Sequence, residues 1–166
     1  MSGLYRARPE DGLAWVTGAS SGIGRGTALE LARRGFRVLA TARSKDALDT
    51  LVSEASSLKG RIIARTVDVT DAALQKQVID EVEASEGPIV LAFLNAGIYW
   101  PMRAHPFDAV SFKKIFDVNV GGVVNGLEVM FDRMTARGRG QIAINASVAG
   151  YIGLPRAAAY SSSKAA

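Results

Sequence analysis

The sequence has 166 residues, of which 48% are hydrophobic and 22% are charged; this predicts one folded domain and excludes a largely disordered chain. It contains no cysteine and a single histidine, His105, which excludes disulfides, zinc–thiolate sites and a cysteine nucleophile and leaves no expected metal site. The formal net charge of +4 comes from scattered Lys and Arg residues rather than from a basic run, so no nucleic-acid partner is expected.

Apolar runs typical of buried strands alternate along the chain with runs of helical period. In chain order, the predicted elements are a strand at 13–17, a helix at 23–34, a strand at 37–41, a helix capped by Ser44, a strand at 61–67, a helix at 71–86 and a strand at 89–94. A long helix is then predicted over 107–137, with Gly121 and Gly122 as the place where it can break, followed by a strand at 141–145 and a helix that begins near Ala157.

This alternation predicts an α/β fold with a doubly wound parallel sheet of the Rossmann-like type. Continuous apolar strands are typical of parallel sheets that helices cover on both faces. The inward-facing positions of the first helix are expected to include Ile23, and the apolar positions of the second helix include Val52. Because the sequence stops soon after the fifth strand, we expect the fold to be truncated at the start of the following helix.

A glycine-rich turn joins the first strand to the first helix. Glycines let the backbone turn tightly and approach an anion, and a helix N-terminus supplies free N–H groups, so the turn is a candidate pyrophosphate site. The alternative is a turn with no ligand, because such a motif is only moderately specific on its own. The candidate cofactor-binding residues of this turn are Gly18, Ser20, Ser21, Gly22, Ile23 and Gly24.

The end of the second strand predicts which dinucleotide would bind. NAD sites usually place an acidic residue there, whereas an arginine suits the 2′-phosphate of NADP. No acid is present, and Arg43 follows the strand; its guanidinium could hold a phosphate with two hydrogen bonds. NADP(H) is therefore the expected cofactor and NAD(H) the less favoured one. Alternatively, Arg43 is a solvated loop cation, and Arg25 is a weaker second candidate for the phosphate.

Tyr160 and Lys164 lie four residues apart in a segment predicted to be helical, so they share one face. A phenol is a poor acid–base catalyst at neutral pH because its ordinary pKa is about 10, but a nearby ammonium stabilises the phenolate. Tyr160 could then donate a proton to a carbonyl oxygen or accept one from an alcohol. Ser147 follows the fifth strand, where open α/β sheets bind ligands, and could hydrogen-bond the same oxygen or serve only as a turn residue.

From residue 13 to the end, the sequence resembles the short-chain dehydrogenase/reductase family. The resemblance rests on six motifs in order: the Thr17–Gly24 turn, Asp68-Val69, Asn95-Ala96-Gly97, Asn119, Ser147, and Tyr160 with Lys164. It implies that Asp68 and Val69 contact the adenine and that Asn95, Ala96 and Gly97 shape the sheet edge beside the cofactor. It further implies that Lys164 holds the nicotinamide ribose, that Asn119 anchors a water in a proton relay, and that Ser147, Tyr160 and Lys164 form the catalytic group.

The resemblance also implies an NADP(H)-dependent oxidoreductase that interconverts an alcohol and a carbonyl, with Tyr160 as general acid/base and a small-molecule substrate. Members of the family usually continue for about 80–90 further residues, within ordinary domain size, and full-length relatives are expected to be homo-oligomers. We therefore expect residues 1–166 to be a single NAD(P)-binding domain that lacks its C-terminal strands and substrate loop. The alternative is a truncated, non-catalytic dinucleotide-binding fragment or a redox sensor.

Two structural consequences are expected of such truncation. The short terminal helix that carries Tyr160 and Lys164 should fray, and the fifth strand should form an open sheet edge that invites association. No apolar run approaches the roughly 18 residues that span a membrane, and the charged N-terminus is unlike a signal peptide. A cytoplasmic protein with no membrane partner is expected.

Overall fold

Residues 4–166, the part of the chain that the computed structural model describes, form five strands and six α-helices. The strands are β1 (Leu13–Thr17), β2 (Arg37–Ala42), β3 (Arg61–Thr66), β4 (Ile89–Leu94) and β5 (Gln141–Ile144). The helices are α1 (Gly22–Arg33), α2 (Lys45–Glu54), α3 (Ala72–Glu86), α4 (Ala109–Phe116), α5 (Gly122–Ala136) and α6 (Ala158–Ala165). None of these helices is long and apolar enough to cross a membrane.

The strands form one parallel sheet in the order β3-β2-β1-β4-β5. The register places Val16 of β1 beside Ala40 of β2 and Phe93 of β4. The chain builds outward from β1 to β3 and then returns to the other side of β1 with β4, which makes the junction of β1 and β4 a topological switch point. The predicted doubly wound, Rossmann-like sheet is confirmed.

The alternation of side chains along β1 divides the hydrophobic core between the two faces of the sheet. Leu13 and Trp15 face α3 and α5, where they pack with Ile79 and Met130. Val16, from the opposite face, packs in a second core cluster with residues of α1 and α2. The indole Nε1 of the buried Trp15 donates a 3.0 Å hydrogen bond to Thr41 Oγ1, so this large side chain is buried without an unpaired polar group.

The helix predicted over 107–137 changes its hydrogen-bonding pattern near its middle but does not end there. A π-helical segment, Asp117–Gly121, joins α4 directly to α5, so the region around Gly121 is a wide turn rather than a break. The capping prediction is confirmed, because Ser44 Oγ accepts a 3.3 Å hydrogen bond from the Ala47 N–H at the start of α2.

Two apolar helix residues are exposed: Ile23, which was predicted to face inward, and Val52. Ile23 is 63% exposed, because it lies in the first turn of α1, beside the open groove at the end of the sheet. Val52 is 37% exposed, because the buried stripe beneath α2 follows Leu48, Leu51 and Ala55 and leaves Val52 at its margin. The helical spacing of apolar residues predicted the positions of both helices, but it did not predict the limits of the face that each helix buries.

Candidate functional site

A groove of about 470 Å³ lies at the carboxyl ends of the strands, around the switch point where this class of sheet usually binds ligands. Most of the residues singled out in the sequence converge on it. The predicted site residues that line the groove are Gly18, Ser20, Ser21, Gly22, Ile23, Arg43, Asp68, Val69, Asn95, Ala96, Gly97, Tyr160 and Lys164. Gly24, Asn119 and Ser147 are not among its lining residues.

The glycine turn packs tightly against the neighbouring backbone because Gly18 and Gly24 carry no side chain at the points of closest approach. Gly18 adopts a φ of 65°, and a Cβ there would lie 2.8 Å from Ala96 Cα. Gly24 is buried behind the turn, where a Cβ would lie 2.4 Å from Gly18 O. Ser21 precedes α1 without making a side-chain cap, so the first N–H groups of the helix keep no capping partner and are suited to bind an anion.

The two arginines near this turn differ in their surroundings. Arg43 lines the groove just beyond β2. Arg25 lies on α1 but forms an ion pair with Glu54 of α2, which occupies its guanidinium. Arg43 is therefore the better placed of the two to meet a phosphate in the groove.

Asp68 is held in its charged form next to Arg43. Partial burial opposes ionisation of the carboxyl, but hydrogen bonds from the Thr70 N–H (2.9 Å) and hydroxyl (2.8 Å) outweigh it, aided by the charges of Arg43 and Lys114. Together these lower the pKa of Asp68 below its ordinary value. The carboxylate thus remains an acceptor at the groove over a wide pH range.

A chain of hydrogen bonds connects the ends of three neighbouring strands to Lys164. The Thr17 hydroxyl accepts from the N–H groups of Asn95 (2.9 Å) and Ala96 (3.0 Å), and the Asn95 amide donates to Thr17 O at 3.0 Å. Asn145 Nδ2 donates to Asn95 Oδ1 at 3.0 Å, and the Asn145 carbonyl accepts from Lys164 Nζ at 2.8 Å. The glycine turn and the lysine are therefore parts of one polar network.

Tyr160 and Lys164 share a face of α6, as their spacing predicts. Lys164 Nζ lies 5.9 Å from the centroid of the Tyr160 ring. The Tyr99 ring packs edge-on against Tyr160, with centroids 5.1 Å apart. The phenol is thus supported on one side by an aromatic ring and has an ammonium nearby, both at the wall of the groove.

Asn119 lies behind this wall, 4% exposed. Its Oδ1 accepts from the Ile98 N–H at 2.7 Å, and its Nδ2 donates to Ile98 O and to Ser163 Oγ, each at 3.0 Å. The Ser163 hydroxyl in turn donates to Tyr160 O at 2.8 Å. Asn119 therefore joins the segment after β4 to the helix that carries Tyr160.

Ser147 is placed apart from these residues. It follows β5, and its Oγ accepts a 3.2 Å hydrogen bond from the Ala149 N–H, which caps a short 3-10 turn. This is the turn role that the sequence left open as an alternative. In the described part of the chain, no cluster of three or more His, Asp or Glu residues is arranged to hold a metal.

Three polar residues of the network were not among the site residues predicted from the sequence. Thr17 and Asn145 stand at or just past the ends of β1 and β5, and Ser163 stands next to Lys164. Thr17 and Asn145 could have been predicted, because a polar residue that ends an apolar strand lies at the edge of the sheet where such folds bind ligands. Ser163 carried no such signal, since its partner Asn119 is 44 residues away.

Comparison with known proteins gives consistent relatives. The family model described as short chain dehydrogenase matches residues 13–166. An uncharacterized oxidoreductase of Myxococcus xanthus is 40% identical over 152 residues, which cover 92% of this chain and 60% of the relative. The 3-oxoacyl-[acyl-carrier-protein] reductase FabG of Thermotoga maritima is 34% identical over 158 residues, 95% of this chain and 64% of the relative. The chain thus spans about 60% of the length of such curated relatives.

Solved structures agree in fold. Actinorhodin polyketide ketoreductase with NADPH superposes with a TM-score of 0.89 at 30% identity, covering 96% of this chain and 62% of that one. A short chain dehydrogenase/reductase from Burkholderia phymatum in complex with NAD gives a TM-score of 0.88 at 29% identity, covering 93% and 55%. Similar structures therefore include complexes with either dinucleotide.

Proposed function

Because this chain belongs to the short-chain dehydrogenase family, we propose that it is the cofactor-binding part of an NADP(H)-dependent oxidoreductase that interconverts an alcohol and a carbonyl compound. One observation carries the proposal. A single groove is lined by the glycine turn, by Arg43 with Asp68 and Val69, and by the Tyr160–Lys164 pair. That arrangement suits a long ligand with phosphates at its middle and reactive chemistry at one end.

The groove has the features that a dinucleotide phosphate requires. Gly18 and the uncapped start of α1 would receive the pyrophosphate. Asp68 and Val69 would contact the adenine, and Arg43, with no acidic residue at the end of β2, would bind the 2′-phosphate. The fit of Arg43 favours NADP(H), although structures of relatives hold NADPH or NAD.

Tyr160 would move the proton of the reaction. When bound, the nicotinamide supplies or accepts the hydride at the substrate carbon. In reduction, the Tyr160 hydroxyl would donate its proton to the carbonyl oxygen; in oxidation, the phenolate would take the proton of the alcohol. Lys164, whose ammonium is near the ring, would stabilise the phenolate and hold the ribose hydroxyls.

Asn119 and Ser147 do not line the groove and would have supporting roles in the reaction. Asn119 would anchor a water of the proton relay, consistent with its place in the π-helical segment beside α6. Ser147 would donate its hydroxyl hydrogen to the substrate oxygen, which is compatible with its Oγ accepting from the Ala149 N–H.

The proposal predicts that Tyr160→Phe loses activity and keeps cofactor binding. The variant removes only the phenolic hydroxyl, so NADPH-dependent reduction of carbonyl compounds should fall by about 10²–10⁴-fold, while the dissociation constant of NADPH stays within about twofold. NADPH oxidation at 340 nm and NADPH fluorescence measure the two quantities. Tyr151→Phe, at a phenol 89% exposed and outside the groove, is the matched control.

The same experiment distinguishes the alternative function. If the unaltered chain binds NADPH but reduces no carbonyl compound, and Tyr160→Phe changes nothing, the chain is a non-catalytic dinucleotide-binding fragment or sensor. If Tyr160→Phe retains full turnover in an active chain, Tyr160 is not the proton donor.

A further inference from the structure

The carbonyl oxygen of Val69 receives two hydrogen bonds from side chains on two different helices. Val69 follows β3, lines the groove and is 8% exposed. Its oxygen accepts from Gln75 Nε2 at 2.7 Å and from Asn125 Nδ2 at 2.9 Å. Gln75 belongs to α3 and Asn125 to α5. Two donors that converge on one carbonyl from separate helices fix its direction more firmly than either would alone.

The side chain of Val69 is fixed by a third contact. A Cβ on Gly122, at the start of α5, would lie 2.5 Å from Val69 Cγ2, so the absence of a side chain there lets the helix pack directly on the valine. The neighbouring Gly121 has no such contact, since its nearest atom would be Phe116 O at 4.0 Å. Gln75, Gly122 and Asn125 together form what we call the Val69 clamp.

Gln75 is an unusual residue for its position. It is 1% exposed on the inner face of α3, among apolar neighbours such as Val78 and Ile79. Its Oε1 has no hydrogen-bond partner among residues 4–166. A buried amide with an unpaired acceptor costs free energy, and an apolar residue would avoid that cost. The bond to Val69 is the one interaction here that offsets it.

We propose that the Val69 clamp positions the adenine end of the cofactor. None of its members lines the groove, so they act through Val69 and not by touching the ligand. By holding the carbonyl and the side chain of Val69, they set the surface on which the adenine would pack, beside Asp68. The proposal rests on the proposed function, because it takes Asp68 and Val69 to be the adenine contacts.

The test separates the adenine end from the phosphate turn with two probes. Adenosine 2′,5′-bisphosphate engages the adenine end, and inorganic pyrophosphate engages only the glycine turn; NMR titration of the whole chain measures both affinities. The variants are Gln75→Met, Asn125→Leu and Gly122→Ala. Gln77→Met is the matched control on α3, where Gln77 is exposed, and Gly121→Ala is the matched control beside Gly122.

The expected result is selective. Each of the three clamp variants weakens binding of adenosine 2′,5′-bisphosphate about three- to tenfold, the effect of losing one hydrogen bond or contact that shapes a binding surface. Pyrophosphate binding and both control variants stay within about twofold of the unaltered chain. Asn125→Ala removes the same donor without added bulk and replaces the leucine variant if that variant does not fold.

Other outcomes overturn the inference in distinguishable ways. If folded clamp variants bind both probes as the unaltered chain does, the clamp has no role in binding, and the proposed function stands. If they lose affinity for pyrophosphate and the adenine nucleotide equally, their role is structural only. If the unaltered chain binds neither probe, the proposed function fails and the clamp fails with it.

Discussion

The carboxyl of Asp68 shows how a few hydrogen bonds tune a single residue for its proposed role. Burial raises its pKa, but the Thr70 N–H and hydroxyl, with the positive charge of Arg43, lower it further than burial raises it. A carboxyl whose pKa is depressed in the folded chain stays ionised until the pH falls through that lowered value. Any interaction that needs the carboxylate is therefore preserved into the acidic range.

This predicts the effect of Thr70→Val on the pH dependence of binding. The variant removes the hydroxyl donor but keeps the backbone N–H bond and the shape of the side chain, so the pKa of Asp68 should rise part of the way toward its ordinary value. The acid limb of NADP⁺ binding should move to higher pH, while affinity at pH 7 changes little. Titrations of NADP⁺ from pH 3.5 to pH 7 measure it. An unshifted acid limb would mean that Asp68 does not contribute to binding.

Helix α6 contacts the rest of the polar network through Lys164, which donates to Asn145 O, and through the buried Ser163. Ser163, 5% exposed, accepts from Asn119 and donates to Tyr160 O. The helix has only eight residues, too few to be stable by itself. Its docking should therefore rely strongly on this serine, and so should the position of Tyr160 and Lys164.

Ser163→Ala should lower the free energy of unfolding more than Ser162→Ala does. It leaves one Asn119 N–H buried without a partner, a loss of about 1–3 kcal/mol in the free energy of unfolding. Ser162→Ala removes an exposed hydroxyl that bonds only within the helix, to Ala158 O, and is the control. Urea unfolding and amide hydrogen exchange in α6 measure the effect. Equal losses for the two variants would show that Asn119 does not anchor the helix through Ser163.

The elements differ in how far the sequence alone predicts them. The strands and the glycine turn were predictable because their signals are local: apolar runs, glycines that permit tight turns, and capping residues such as Ser44. Helix ends and strand ends differed by a residue or two, as at β2, which extends to Ala42. Arg43 and the Tyr160–Lys164 pair could be proposed from their places at a strand end and on one helix face, whereas Asp68 was proposed from the family resemblance.

What the sequence did not predict depends on contacts between distant segments. The π-helical segment directly precedes Gly122, which packs on Val69, 53 positions earlier in the chain. Local sequence propensity cannot predict a contact between residues so far apart. Asn145 matters because its carbonyl meets Lys164 and its amide meets Asn95. Ser147 shows the converse, since it lies outside the groove lining and its Oγ accepts a local hydrogen bond from the Ala149 N–H.

For the molecule as a whole, β5 is the exposed edge of the sheet nearest the proposed catalytic pair. It pairs only with β4 among the described strands, and its Ile144 is 51% exposed. An edge strand with an exposed apolar side chain is a template for pairing with another chain. Among the described strands β5 lies at the edge of the sheet, and association of this chain through it remains a prediction.

Ile144→Lys should therefore reduce self-association without unfolding the chain. A charge on an edge strand opposes strand pairing between molecules. Gln141→Lys adds the same charge to the same strand but removes no exposed apolar side chain, and should have the smaller effect. Sedimentation velocity over a range of concentrations measures it. If all three chains associate equally, the β5 edge is not the contact surface.

The proposed function is tested most directly by the ratio of the NADH and NADPH dissociation constants, measured by fluorescence titration of the unaltered chain and of Arg43→Asp. We predict saturable binding of one NADPH per chain, with NADH at least about tenfold weaker. In Arg43→Asp this preference should reverse, because the phosphate loses its guanidinium partner and meets a carboxylate. A folded chain that binds neither dinucleotide, or an Arg43→Asp variant that keeps its preference for NADPH, would contradict it.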